Sequence, residues 1–194
     1  MLIDMPPRDR MIRSSPNLLA KMKRLKIFIN CNASFGGGLN YFPNQLRVLD
    51  SPKCPGLSWP PQFLGKKLIV LKIEVSIIRD LGTRLLPKNL TSIDLSRSKY
   101  LTKISDLASR TNLKKLILDG CESLVKVVDS VGFLDKLVQL DFTGCSSLKK
   151  LLRSLELRSL KVLELEACTS LEYFLEIKSE MEHVKRLGLE STVI

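Results

Sequence analysis

Aromatic side chains are scarce in this 194-residue sequence, at 6%, so its core must be built mainly from aliphatic groups. Histidine is scarcer still. His183 stands alone, and no serine or cysteine accompanies it in a recognisable nucleophile motif. No apolar run approaches the roughly 18 residues that a membrane-spanning helix needs. The opening stretch Met1-Leu2-Ile3-Asp4-Met5-Pro6-Pro7-Arg8 lacks the apolar segment of a secretory signal. The expected compartment is the cytosol or the nucleus, where cysteines stay reduced. The five cysteines are odd in number and include no C-x-x-C pair, which speaks against both a disulfide framework and a zinc site. The sequons at Asn32 and Asn89 are read as chance rather than glycosylation sites. Gly65-Lys66-Lys67 lacks the upstream glycine and the hydroxyl of a phosphate loop, and Gly36-Gly37-Gly38 is not followed by lysine. These absences predict no enzyme, no cofactor and no bound metal.

What is present is leucine at regular intervals. The pattern L-x-x-L-x-L begins at Met22, Leu46, Leu68, Leu90, Leu113, Leu137, Leu160 and Val184. The intervals are 22 to 24 residues, inside the range of leucine-rich repeats. Leu90-Ile93-Leu95, Leu113-Leu116-Leu118, Leu137-Leu140-Phe142 and Leu160-Leu163-Leu165 are the clean units. Leu46-Leu49-Ser51 is the weak one, because Ser51 stands where an apolar group should point inward, and it should loosen the second coil.

The residue that closes each motif is a sharper test, since hydrophobicity does not demand it. It is Asn30, Cys54, Ser76, Ser98, Cys121, Cys145, Cys168 and Thr192. All are small and able to hydrogen-bond, as a sharp buried turn requires, because the turn leaves backbone groups to satisfy. Four of the five cysteines are thereby structural; Cys31 is a lone thiol beside the first such slot. A second apolar pair recurs at Leu101-Ile104, Leu124-Val127, Leu148-Leu151 and Leu171-Phe174, leaving room for an irregular segment or a short helical turn. The fold expected is an α/β leucine-rich repeat solenoid. It has one short parallel strand per repeat, a concave parallel sheet and an irregular or short-helical convex side. Residues 1–21 form a lead-in and 22–194 the repeats.

These motifs resemble the leucine-rich repeat region of plant intracellular immune receptors of the Toll/interleukin-1 receptor, nucleotide-binding type. The resemblance is carried by Cys121-Glu122-Ser123-Leu124, Cys145-Ser146-Ser147-Leu148-Lys149 and Cys168-Thr169-Ser170-Leu171-Glu172, and by Asn112-Leu113-Lys114-Lys115-Leu116. Pro43-Asn44-Gln45-Leu46-Arg47-Val48-Leu49 is similar too. Where such receptors carry proline after the second apolar pair, this sequence has Ser105, Val128, Leu152 and Leu175; Pro61 alone keeps it. The resemblance implies a fragment of a longer receptor, with the nucleotide-binding domain of the parent as one partner. The remaining partner implied is a pathogen effector or guarded host protein.

The net charge of +11 favours acidic partners, nucleic acid or anionic membrane in general. Its placement narrows the choice. The two exposed columns between the motif leucines hold Lys26, Asp50, Lys72, Asp94, Ile117, Asp141, Glu164 and Gly188, then Phe28, Pro52, Glu74, Ser96, Asp119, Thr143, Glu166 and Glu190. The column before them is basic, with Lys23, Arg47, Lys114, Lys161 and Lys185. An acidic stripe would repel a phosphate backbone and suits a protein of complementary charge. The expected recognition residues are Asp94, Asp119, Asp141, Glu164 and Glu166, with Lys114 and Lys161 beside them. Neither nucleic acid nor membrane is the expected partner. A generic cytosolic repeat adaptor, such as a ubiquitin-ligase substrate receptor, is the alternative.

Overall fold

The computed structural model describes residues 17–31, 39, 41–51, 63–81, 86–104, 106–152, 154–173, 176–177 and 180–192, with short strands at 2–3, 11–12 and 34–35. Strands Ile27–Asn30, Val48–Asp50, Val70–Lys72, Ser92–Asp94, Lys115–Ile117, Gln139–Asp141, Val162–Glu164 and Arg186–Gly188 open eight successive coils. With Leu2–Ile3 ahead of them they form one nine-stranded sheet in chain order, parallel throughout. This is the expected leucine-rich repeat solenoid.

The register explains why the leucines repeat. Leu116 pairs with Ile93 on one side and Leu140 on the other, and Leu140 pairs with Leu163. Alternate strand residues face opposite sides, so one side chain per strand points inward and its neighbours outward. All three apolar positions of the coils starting at Leu90, Leu113 and Leu137 are fully buried. Each such side chain gains roughly 1.5–3 kcal/mol over exposure, but only if the adjacent coil covers it. At the last described strand Leu187 remains 49% exposed, where no further described coil covers it.

The second apolar pair closes the core from behind. Leu101, Ile104, Leu124, Val127, Leu148, Leu151 and Leu171 are buried, beneath short parallel strands such as Lys103–Ile104 and Lys126–Val127. Among the described residues the only helical pieces are 3-10 turns at Leu18–Lys21 and Asp129–Phe133. Val128 holds φ −77° and ψ 145° just before the second of these, the polyproline conformation. The geometry that proline would impose there persists with valine. Ser105 and Leu175 lie outside the described residues.

Two features differ from the sequence expectation, both at the first two coils. Phe28, expected on the exposed column, is fully buried and pairs with Leu49. The first coil therefore runs three residues later than the leucine pattern suggested, as Leu25-Phe28-Asn30. Lys26, whose carbonyl accepts from Arg47 and Val48, takes the place in the basic column expected for Lys23. Asn30 then stands opposite Ser51 rather than in the closing slot, and its Nδ2 donates to Ser51 Oγ at 3.1 Å. Both are 1% exposed. Ser51 is thus matched by a polar partner at its own level, which offsets the loosening expected of it.

The closing turns share one geometry. The residue before each slot from Ser76 to Thr192 is left-handed, at Val75, Arg97, Gly120, Gly144, Ala167 and Ser191, with φ between 53° and 68°. That conformation aims its N–H at the next coil: Arg97 donates to the Asp119 carbonyl at 2.6 Å, Gly120 to Thr143 at 2.7 Å and Ala167 to Glu190 at 2.8 Å. Only glycine adopts it without steric cost, and Val75 is β-branched, the worst case. Ala167→Gly and Val75→Gly should each stabilise the protein by about 1 kcal/mol, seen as a melting temperature roughly 2–4 °C higher. Gly144→Ala should lower it by a similar amount. Thermal unfolding followed by circular dichroism checks all three.

Candidate partner-recognition face

The slots behind the turns are a bonding ladder rather than a reactive one. Cys121 Sγ donates to the Leu95 carbonyl at 3.3 Å, Cys145 to Leu118 at 3.3 Å and Cys168 to Phe142 at 3.2 Å. In each case the acceptor is the last apolar strand position of the preceding coil. Thr192 Oγ1 makes the equivalent bond to the Leu165 carbonyl. Ser76 and Ser98 do it differently: their hydroxyls lie 2.8 Å apart, and Ser98 Oγ also accepts the Ser76 N–H at 3.2 Å. Cys54 lies outside the described residues. Burial pushes the Cys121 thiol up to about 12 and that of Cys168 to about 11, with Cys145 raised as well. Since the thiolate is the reactive form, these three cysteines are held inert. Among the described residues no group of three or more His, Cys, Asp or Glu could hold a metal ion.

The concave face carries the acidic stripe expected of it, with two qualifications. Asp94, Asp119, Asp141 and Glu166 are half-buried on successive coils. Asp94 Oδ1 accepts from both the N–H and the hydroxyl of Ser96, at 3.0 and 2.6 Å. Asp141 Oδ1 accepts the Thr143 N–H at 3.0 Å, so both carboxylates are fixed in direction. Burial raises the Asp119 carboxyl above the usual range, and the charges of Asp141, Asp94 and Glu74 add to it against Arg97. Asp50 is raised too, by burial first, with Lys72 opposing. The carboxylates on neighbouring coils therefore act as one field.

The first qualification is Glu164, which is only 6% exposed. Arg186, on the next strand, covers it, pairing with Glu164 Oε1 and lying 3.6 Å from Glu166 Oε1. Burial raises the Glu164 carboxyl, partly countered by Arg186. Gly188 makes room for it, since a Cβ there would collide with Glu164 Oε2. The second is Lys72, which bridges Glu74 at 2.7 Å and Asp94 at 3.8 Å. Lys72 and Arg186 thus neutralise the two ends of the stripe and leave Asp119 and Asp141 as its open middle. Lys72 was visible in the sequence as a cation flanked by acids in its own column. Arg186 was not, because it stands at the strand position before the inward leucine, outside both columns, although it faces the same side as they do. Lys114 and Lys161 are exposed and immediately precede their strands, about 10 Å from the first acidic column, three residues at roughly 3.3 Å each.

No protein-family model matches the chain. It is 35% identical over 185 residues to TMV resistance protein N of Nicotiana glutinosa, covering 94% of this chain. It is 38% identical over 143 residues to disease resistance protein RPP4 of Arabidopsis thaliana, 73% of this chain. The chain belongs to the leucine-rich repeat region of plant disease resistance proteins of the TIR–nucleotide-binding type. Disease resistance protein RPP2A of Arabidopsis thaliana agrees, at 30% identity over 184 residues and 90% of the chain. The chain spans 16%, 12% and 14% of these three relatives' lengths. Family membership fits the repeat spacing, the buried slots and the solenoid. Among the described residues no helix is long and apolar enough to cross a membrane.

Thiol accessibility tests the ladder. At pH 8 iodoacetamide should alkylate exposed Cys31 readily in the folded protein. Cys121, Cys145 and Cys168 should be labelled at least about 100-fold more slowly until denaturant is added, because burial both shields them and disfavours the thiolate that alkylation needs. Peptide mapping by mass spectrometry reads each site separately.

Proposed function

We propose that this region is the protein-recognition module of a plant immune receptor. It senses a pathogen effector or a guarded host protein and, in a full-length receptor, restrains the nucleotide switch. It works by binding and not by catalysis, and it acts in the cytosol or nucleus. The observation that carries the reading is the charge field of the concave face. Coupled carboxylates on consecutive rigid strands form an electrostatic template a protein can match, and such complementarity sets specificity and encounter rate. The same field disfavours a nucleic-acid backbone. The three relatives named above, each a resistance protein of a plant, favour this reading over a ubiquitin-ligase adaptor.

Recognition is assigned chiefly to Asp119 and Asp141, with Asp94 and Glu166 at either side. Glu164 acts from beneath, holding Arg186 over the end of the stripe. Lys114 and Lys161 supply the opposite sign along the strand starts. Reversing two neighbouring charges, as in Asp119→Lys with Asp141→Lys, should reduce effector-dependent cell death at least tenfold in a receptor reconstituted in leaf tissue, while the receptor accumulates normally. An unchanged response would remove the stripe from the recognition surface.

A further inference from the structure

We propose that the starts of the concave strands form a second binding site, a groove that takes an extended acidic peptide from a partner protein. The cavity measures about 690 Å³, and its cations are Arg47, Lys67, Lys114 and Lys136, over a floor that includes Ile69 and Thr91. No carboxylate lines it. Two of the lysines reach neutral oxygens: Lys67 Nζ donates to Gln45 Oε1 at 2.6 Å and Lys136 Nζ to Asn112 Oδ1 at 2.7 Å. Each bond ties a lysine to the preceding coil and holds its charge in place without neutralising it. Among the described residues none of the four cations has a salt-bridge partner, although the same face pairs Lys72 and Arg186 with acids.

The arrangement specifies a ligand more closely than net charge would. Arg47 and Lys67 belong to the second and third coils, Lys114 and Lys136 to the fifth and sixth. Adjacent strands are about 4.8 Å apart, so the two cation pairs are centred roughly 14 Å from each other, which is about four residues of extended chain. The segment between them runs over Ile69 and Thr91, which offer apolar contact and a hydroxyl but no charge. A peptide with acidic residues at i and i+4 matches both ends at once. A nucleic acid presents evenly spaced charge and would meet the acidic stripe about 10 Å further along the strands.

The inference shares with the proposed function the premise that the partner is a protein and the residue Lys114; its test substitutes Lys67 and Lys136 and so reads the groove alone. Fluorescence anisotropy at low ionic strength would compare three labelled probes on the full chain. One is a ten-residue Ser/Gln peptide with aspartates four apart, the second has the same composition with the aspartates adjacent, and the third is a ten-nucleotide oligothymidylate. The spaced peptide should bind at least fivefold more tightly than the adjacent one. Lys67→Glu with Lys136→Glu should weaken it at least tenfold, while Lys103→Glu on the convex side leaves it unchanged. Both substituted lysines of the groove are exposed, and an unaltered melting temperature confirms that the fold is intact. Equal binding of the two peptides, tighter binding of oligothymidylate, or indifference to the double substitution would each overturn the proposal. Any of these results would leave the assignment of Asp119 and Asp141 standing.

Discussion

The structure depends on how each coil turns out of its strand without leaving a buried backbone group unpaired. A left-handed residue swings the chain, and its N–H reaches forward to the next coil, as from Gly120 to Thr143. The slot residue that follows reaches backward, its side chain bonding the preceding coil at Leu95, Leu118 or Phe142. Its own N–H closes a tight turn onto the last apolar strand residue, for example from Cys145 to Phe142 at 3.0 Å. The coils that close at Cys121, Cys145 and Cys168 are thus each tied to both neighbours by bonds that a freestanding coil could not make. This is the polar counterpart of the leucine stack: burial makes the coils adhere, and the turn bonds fix their register.

That rigidity is what gives the surface its meaning. Side chains flanking the buried leucines are carried at strand spacing along the whole sheet, so charges of one kind line up. Asp119 is held close enough to Asp141 that the neighbouring charge adds to burial in raising the Asp119 carboxyl. An arrangement with such a self-repulsive cost does nothing for folding, and a nearby cation relieves it. Lys72 and Arg186 supply that relief at the two ends, and among the described residues Asp119 and Asp141 have no ion-pair partner. The basic strand starts run parallel to it, so the concave face is divided lengthwise into two signs.

The sequence made the repeat legible because the same inward position recurs every 22 to 24 residues, and the slot legible because size and hydrogen bonding constrain it together. The first coil was misplaced because Met22-Leu25-Ile27 satisfies the apolar pattern at all three positions, whereas Leu25-Phe28-Asn30 satisfies it at only two. Only pairing decides between them, through Phe28 against Leu49 and Asn30 against Ser51. The left-handed turn position carries no consistent sequence signal, since Val75, Arg97 and Ala167 occupy it as well as two glycines. The burial of Glu164 was equally hidden, because it is imposed by Arg186 from the adjacent coil and by the missing side chain of Gly188. Positions decided within one strand were readable; those decided between coils were not.

Equilibrium urea unfolding of Ser98→Ala tests the turn ladder most directly. Ser98 Oγ is the acceptor for the buried Ser76 N–H, and no water reaches the fully buried Ser98 side chain to replace it. Loss of that acceptor should cost about 1–3 kcal/mol, against near zero for Ser170→Ala on the exposed turn. A Ser98→Ala protein as stable as the parent would contradict the claim that inter-coil turn bonds set the register of the solenoid.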